Sequence, residues 1–69
     1  MREEHQSAAT LKLVQHRTAV EEVVGQATRP LSVAEIRRRA RQHDPSLSSV
    51  LLACAATDLR RQGKIRLAD

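Results

Sequence analysis

The sequence contains no Phe, Trp or Tyr, and in 69 residues only one Cys, two Gly and two Pro. Without aromatic side chains, the interior has to be assembled from eight Leu, six Val, two Ile and a share of the ten Ala. Such small side chains suit closely spaced helices better than a β-sandwich. A single Cys excludes an internal disulfide, and with it a disulfide-stapled secreted scaffold, so a reducing, cytoplasmic setting is expected. Two Gly are too few for a Gly-rich phosphate loop, and a chain this short buries only ~60% of its unfolded surface, which leaves little room for an enclosed pocket. No stretch approaches the ~20 apolar residues of a membrane span, and Met1 to Gln6 lacks the apolar centre of a signal peptide. No nucleophile sits beside a base, no carboxylates are paired, and His5, His16 and His43 show no ligand spacing with one another or with Cys54. The protein is therefore expected not to be an enzyme and to need no metal, cofactor or membrane.

Basic charge is what the chain does have. Twelve Lys and Arg against eight acidic residues leave a net charge of +4, which suits a polyanionic partner but is also compatible with a plainly solvated surface. With so thin a core, burial in a dimer contact would add to stability.

No repeat, low-complexity tract or linker interrupts the chain, so residues 1 to 69 are read as one domain, with residues 1 to 6 frayed. Ser7 to Val14 reads as a short first helix capped by Ser7, with Ala8, Leu11 and Val14 at helical spacing. Gln15 to Gln26 is a second, stronger pattern, in which Ala19, Val20, Val23, Val24 and Ala27 form one stripe and Arg17, Glu21 and Glu22 face away. Gly25 and Thr28-Arg29-Pro30 end it. Ser32 and Glu35 have capping-box spacing, so a helix starts at Val33, buries Ile36 and Ala40, and stops at His43-Asp44-Pro45. Ser46 or Ser48 caps a last, continuous helix that ends at Gly63. Its apolar run from Val50 to Ala56 is too wide for one face; Val50, Leu52, Ala55, Ala56 and Leu59 are assigned inward, leaving Leu51, Ala53 and Cys54 outward or sideways. Lys64 to Ala68 alternates, with Ile65 and Leu67 inward, as a short strand would.

The fold class expected is mainly α, a small winged helix-turn-helix with three or four helices and a short, minimal β wing. The stretches LKLVQHRTAV (Leu11 to Val20), RPLSVAEI (Arg29 to Ile36), DPSLS (Asp44 to Ser48) and LRRQGKI (Leu59 to Ile65) resemble the N-terminal DNA-binding domain of the ferric uptake regulator family. The resemblance covers most of Leu11 to Ile65. It implies operator binding as a dimer, with the last helix in the major groove and with Lys12 and Arg17 near the DNA backbone. Where that family usually carries a Tyr-Arg pair in its last helix, this sequence has Ala53-Cys54, neither of which donates a strong hydrogen bond. The family's metal sites lie in a second half that has no counterpart in these residues, so metal sensing is not expected.

The leading function is that of a small DNA-binding transcriptional regulator, homodimeric, with double-stranded DNA as partner. Its contacts are expected at Lys12, Arg17, Ser48, Ser49, Thr57, Lys64 and Arg66. The serines have a second role open to them, as caps of the helix. The run Arg37-Arg38-Arg39-Ala40-Arg41 reads as a phosphate patch or as a solvated face. Its place near the end of its helix favours the latter, because the start of the first motif helix is what usually approaches the backbone. The alternative function is a protein-interaction module, an adaptor or inhibitor that has exchanged DNA for a protein, with Leu51, Ala53 and Cys54 as its contact. On its own, Cys54 reads more simply as a small packing residue.

Overall fold

The computed structural model describes residues 8 to 68, which form three helices: α1 (Ala8–Gln26), α2 (Val33–His43) and α3 (Ser49–Arg61). The two helices expected before Pro30 are one. No Gly or Pro falls between Ala8 and Val24, so nothing breaks the backbone ladder between Val14 and Gln15, and even Gly25 is carried inside the last turn. The cap expected at Ser7 and the frayed stretch 1 to 6 lie outside the described residues.

α2 begins where its cap was expected, with the Ser32 hydroxyl accepting from the Glu35 amide at 3.1 Å. The reciprocal half of the box does not form, because the Glu35 carboxylate turns instead to Arg38 and Arg39. Asp44 then shapes the turn around Pro45: its carboxylate accepts from the Ser46 amide at 3.1 Å and the Ser46 hydroxyl at 2.6 Å. Those bonds to Ser46 hold the Asp44 carboxyl below its ordinary pKa. Ser48, rather than Ser46, caps α3, its hydroxyl accepting from the Leu51 amide at 3.2 Å. At the far end the Gly63 amide bonds the Arg60 carbonyl and the Lys64 amide the Leu59 carbonyl, both at 2.9 Å. This is a Schellman closure, and it needs the left-handed backbone that Gly63 supplies at φ +76°.

All three helices share one core. Val20 and Val23 of α1, Ile36 and Ala40 of α2, and Leu52, Ala55, Ala56 and Leu59 of α3 are buried with Leu31 and Leu47 from the connections. Ala side chains at the centre of α3 let its axis approach its neighbours closely, so contacts are made without aromatic bulk. The strand expected over Lys64 to Ala68 reduces to a single parallel bridge between Leu67 and Leu31, with the Ala68 amide donating to the Leu31 carbonyl at 2.9 Å. Alternation does place Ile65 and Leu67 against the core. A ladder needs a second extended segment alongside, however, and the chain passes Leu31 only once. Among the described residues no helix is long and apolar enough to cross a membrane.

Candidate nucleic-acid interface

At the amino end of α3, side chains of α1 and α2 meet the capping turn. His16, on α1, is 3% exposed and bridges the two helices. Its Nε2 accepts from the Ser48 amide at 2.9 Å, and its Nδ1 lies 2.5 Å from the Lys12 carbonyl. A carbonyl only accepts, so Nδ1 carries the proton and Nε2 is the acceptor. The capping residue of α3 thus has its own amide satisfied from another helix. In a capping box that task falls to the third helical residue, which here is Leu51 and has no acceptor. Sequence reasoning missed this role, although His16 shares the stripe of Val20, Val23 and Ala27.

Beside that corner stands the carboxyl-terminal half of α2. Arg41 Nη1 donates to the Ser49 hydroxyl at 3.3 Å, and Arg37, Arg38, Arg41, Gln42 and Ser49 line one shallow hollow. The arginines are not equivalent. Glu35 engages Arg38 and Arg39, the latter at 2.8 Å from Nε. Hydrogen bonds from these two guanidiniums pull the Glu35 carboxyl down from 4.5 to about 2. Among the described residues Arg37 and Arg41 have no carboxylate partner and keep their charge available.

The depressed Glu35 carboxyl has a checkable consequence. Its contribution to stability is complete above about pH 4.5 and is lost as the pH falls towards about 2. Glu35→Gln lacks that contribution, so the melting temperatures of the native protein and the variant should converge between pH 4.5 and 2, as followed by circular dichroism. A gap that stays constant over this range would contradict the assignment.

The remaining expected contacts are dispersed. Lys12 is exposed on α1. Arg17 does not point freely outward: it pairs with Asp58 of α3, which also accepts from Gln62 Nε2 at 3.0 Å. Thr57 is half-buried on α3, Ser48 is occupied as a cap, and Ser49 is half-buried beside Arg41. Lys64 and Arg66 are exposed and join Arg29 around a second shallow hollow, so the basic group expected beside a wing exists without the wing.

The apolar surface also differs from expectation. Val50, assigned to the core, is 69% exposed, whereas Leu51 and Ala53 are half-buried and Cys54 is exposed. On α1, Leu11, Leu13 and Val14 are 51%, 42% and 53% exposed. They precede His16, the first buried residue met along the helix from Leu11. Leu11 and Val14 have the helical spacing expected of them. They lie off the azimuth of Val20 and Val23, however, and no element among the described residues covers them.

Among the described residues no group of three or more His, Cys, Asp or Glu could hold a metal ion. Comparison of the chain with protein-family models, with curated proteins and with solved structures finds no match.

Proposed function

We propose that this protein is a small DNA-binding regulator of the helix-turn-helix type, its wing reduced to the Leu31–Leu67 bridge, in which α3 enters the major groove and α2 supplies the flanking phosphate contacts. The observation that carries this reading is the junction of Arg41 with Ser49, beside which Arg37 lines the same hollow, so that two guanidiniums without a carboxylate partner among the described residues stand at the first turn of α3. Guanidinium groups match phosphate geometry, and a helix start flanked by them can be steered to the duplex backbone. The net charge of +4 has the right sign. Lys12 on one side, and Arg29, Lys64 and Arg66 on the other, are further candidates for backbone contacts. Arg17 is reassigned from phosphate contact to the tie between α1 and α3.

The test is fluorescence anisotropy of a labelled mixed-sequence duplex of about 20 base pairs, titrated with protein at increasing salt. Binding should weaken along a log–log line with a slope of roughly −0.9 for each phosphate engaged. No binding at low salt would end the proposal.

A second reading, contact with another protein, is favoured by the apolar side chains left open on α1. Leu11, Leu13 and Val14 would suit a second copy of the chain, giving the dimer that a two-half-site operator requires. Replacing Leu11 and Val14 together by Asp should leave the helical signal intact and shift a dimer to monomer in sedimentation. A chain that is already monomeric at high concentration would remove this reading.

A further inference from the structure

Resting on the DNA-binding reading, we infer that α3 reads thymine through its methyl group, with Val50 as the principal reader. The outward stripe of α3 consists of Val50, Ala53, Cys54, Thr57 and Arg61, at the spacing of one helical face. Val50 is 69% exposed and Cys54 is exposed, while Ala53 and Thr57 are half-buried. Ala53, Cys54, Thr57, Asp58 and Arg61 line a shallow hollow along the same face. Asp58 is committed to Arg17 and Gln62.

Such a face has little with which to read hydrogen-bonding edges. Val and Ala have no donor, a thiol is a weak one, and Thr57 offers one half-buried hydroxyl; the one strong donor, Arg61, lies in the last turn of the helix, about three turns from Val50. The major-groove edge of a base pair presents one apolar group, the C5-methyl of thymine, and branched or small side chains are the ones that pack on it. The cations lie where phosphate would lie in that pose, since Arg41 touches Ser49, the residue immediately before Val50. That charge complementarity favours a duplex over an apolar protein partner on this face. The stripe is also narrow: with Ala53 and Cys54 behind Val50, the helix can approach the base edges closely without moving bulk aside.

The missing methyl is easily arranged in the probe. Three duplexes of one sequence are compared by anisotropy at fixed salt: one with thymine, one with uracil in every thymine position, and one with 5-methylcytosine replacing cytosine. Each methyl that is lost or gained at a contact should change affinity roughly three- to fivefold. The uracil duplex should therefore bind more weakly than the thymine duplex, and the 5-methylcytosine duplex more tightly. Val50→Ser, on a solvent-facing position, should keep the helical signal and the salt slope while erasing the differences among the three. Equal binding of the thymine and uracil duplexes, with salt dependence intact, overturns methyl reading and leaves DNA binding standing. A preference that survives Val50→Ser also overturns it. A dimer dissolved by Val50→Ser, together with equal duplex affinities, assigns the stripe to a second copy instead. Absence of any duplex binding removes both this inference and the reading beneath it.

Discussion

His16→Ala is expected to lower the stability of the domain by about 2–4 kcal/mol, the largest effect of any single substitution considered. Two losses combine. The imidazole is almost wholly buried between α1 and the start of α3, so its removal leaves a cavity that the surroundings fill only partly. The Ser48 amide also loses its acceptor, and an orphaned buried donor carries its full desolvation cost. For a domain of this size each kcal/mol moves the melting temperature by about 4–8 °C, so the melting temperature should fall by roughly 8–32 °C. His16→Gln discriminates the two losses, because a Gln carbonyl can accept from the Ser48 amide. It should recover part of the stability, and a Gln variant no better than Ala would show that packing alone mattered. Because Ser48 caps α3, the Ala variant should also lose amide-exchange protection first at the amino end of that helix.

The second large effect is on binding. Replacing Arg37 and Arg41 together by Ala should weaken duplex affinity about tenfold or more near ~0.1 M salt, and should reduce the salt slope by roughly 1.8, the contribution of two phosphates. The paired variant Arg38→Ala with Arg39→Ala is the internal control. It removes the same formal charge, but from side chains that Glu35 already occupies. Its effect on affinity should be several-fold smaller, and its effect on stability slight, because exposed ion pairs contribute little. Equal losses from the two double variants would mean that only bulk charge is sensed and that the corner between α2 and α3 has no special place.

Much of the fold is written in local chemistry. Ser32 with the apolar residues after it marks the start of α2; Asp44-Pro45 marks the turn; Ser46 or Ser48 and Gly63 bracket α3; and the stripe from Ala19 to Ala27 identifies the buried side of α1. What escapes the sequence is whatever depends on a neighbour. Leu11 and Val14 keep helical spacing, but their phase differs from that of Val20 and Val23, so the pattern suggests a break where the backbone has none. Alternation at Ile65 and Leu67 is sufficient for inward side chains and insufficient for a strand, which needs a partner. Seven apolar residues in succession from Val50 cannot be phased by hydrophobicity alone. Once Ser48 is fixed as the cap, α2 and α1 cover Leu52, Ala55 and Ala56 and leave Val50 open.

The candidate site was less readable than the fold, for the same reason. The distinction between Arg37 and Arg41 on one hand and Arg38 and Arg39 on the other exists only because Glu35 lies one turn earlier on their side of the helix. Arg17 belongs to a face that another helix happens to reach. His16 is polar and looks like surface, yet it repeats the spacing of the buried stripe, a signal that could have placed it inside.

The most direct test of the whole account is the set of backbone amide chemical shifts recorded by nuclear magnetic resonance as an unlabelled duplex is added at low salt. Arg37, Arg41, Gln42 and the residues from Ser48 to Cys54 should move first and furthest, with Leu11 to Val14 unaffected unless the oligomeric state changes. Shifts centred on Leu11 to Val14, or none anywhere, would contradict it.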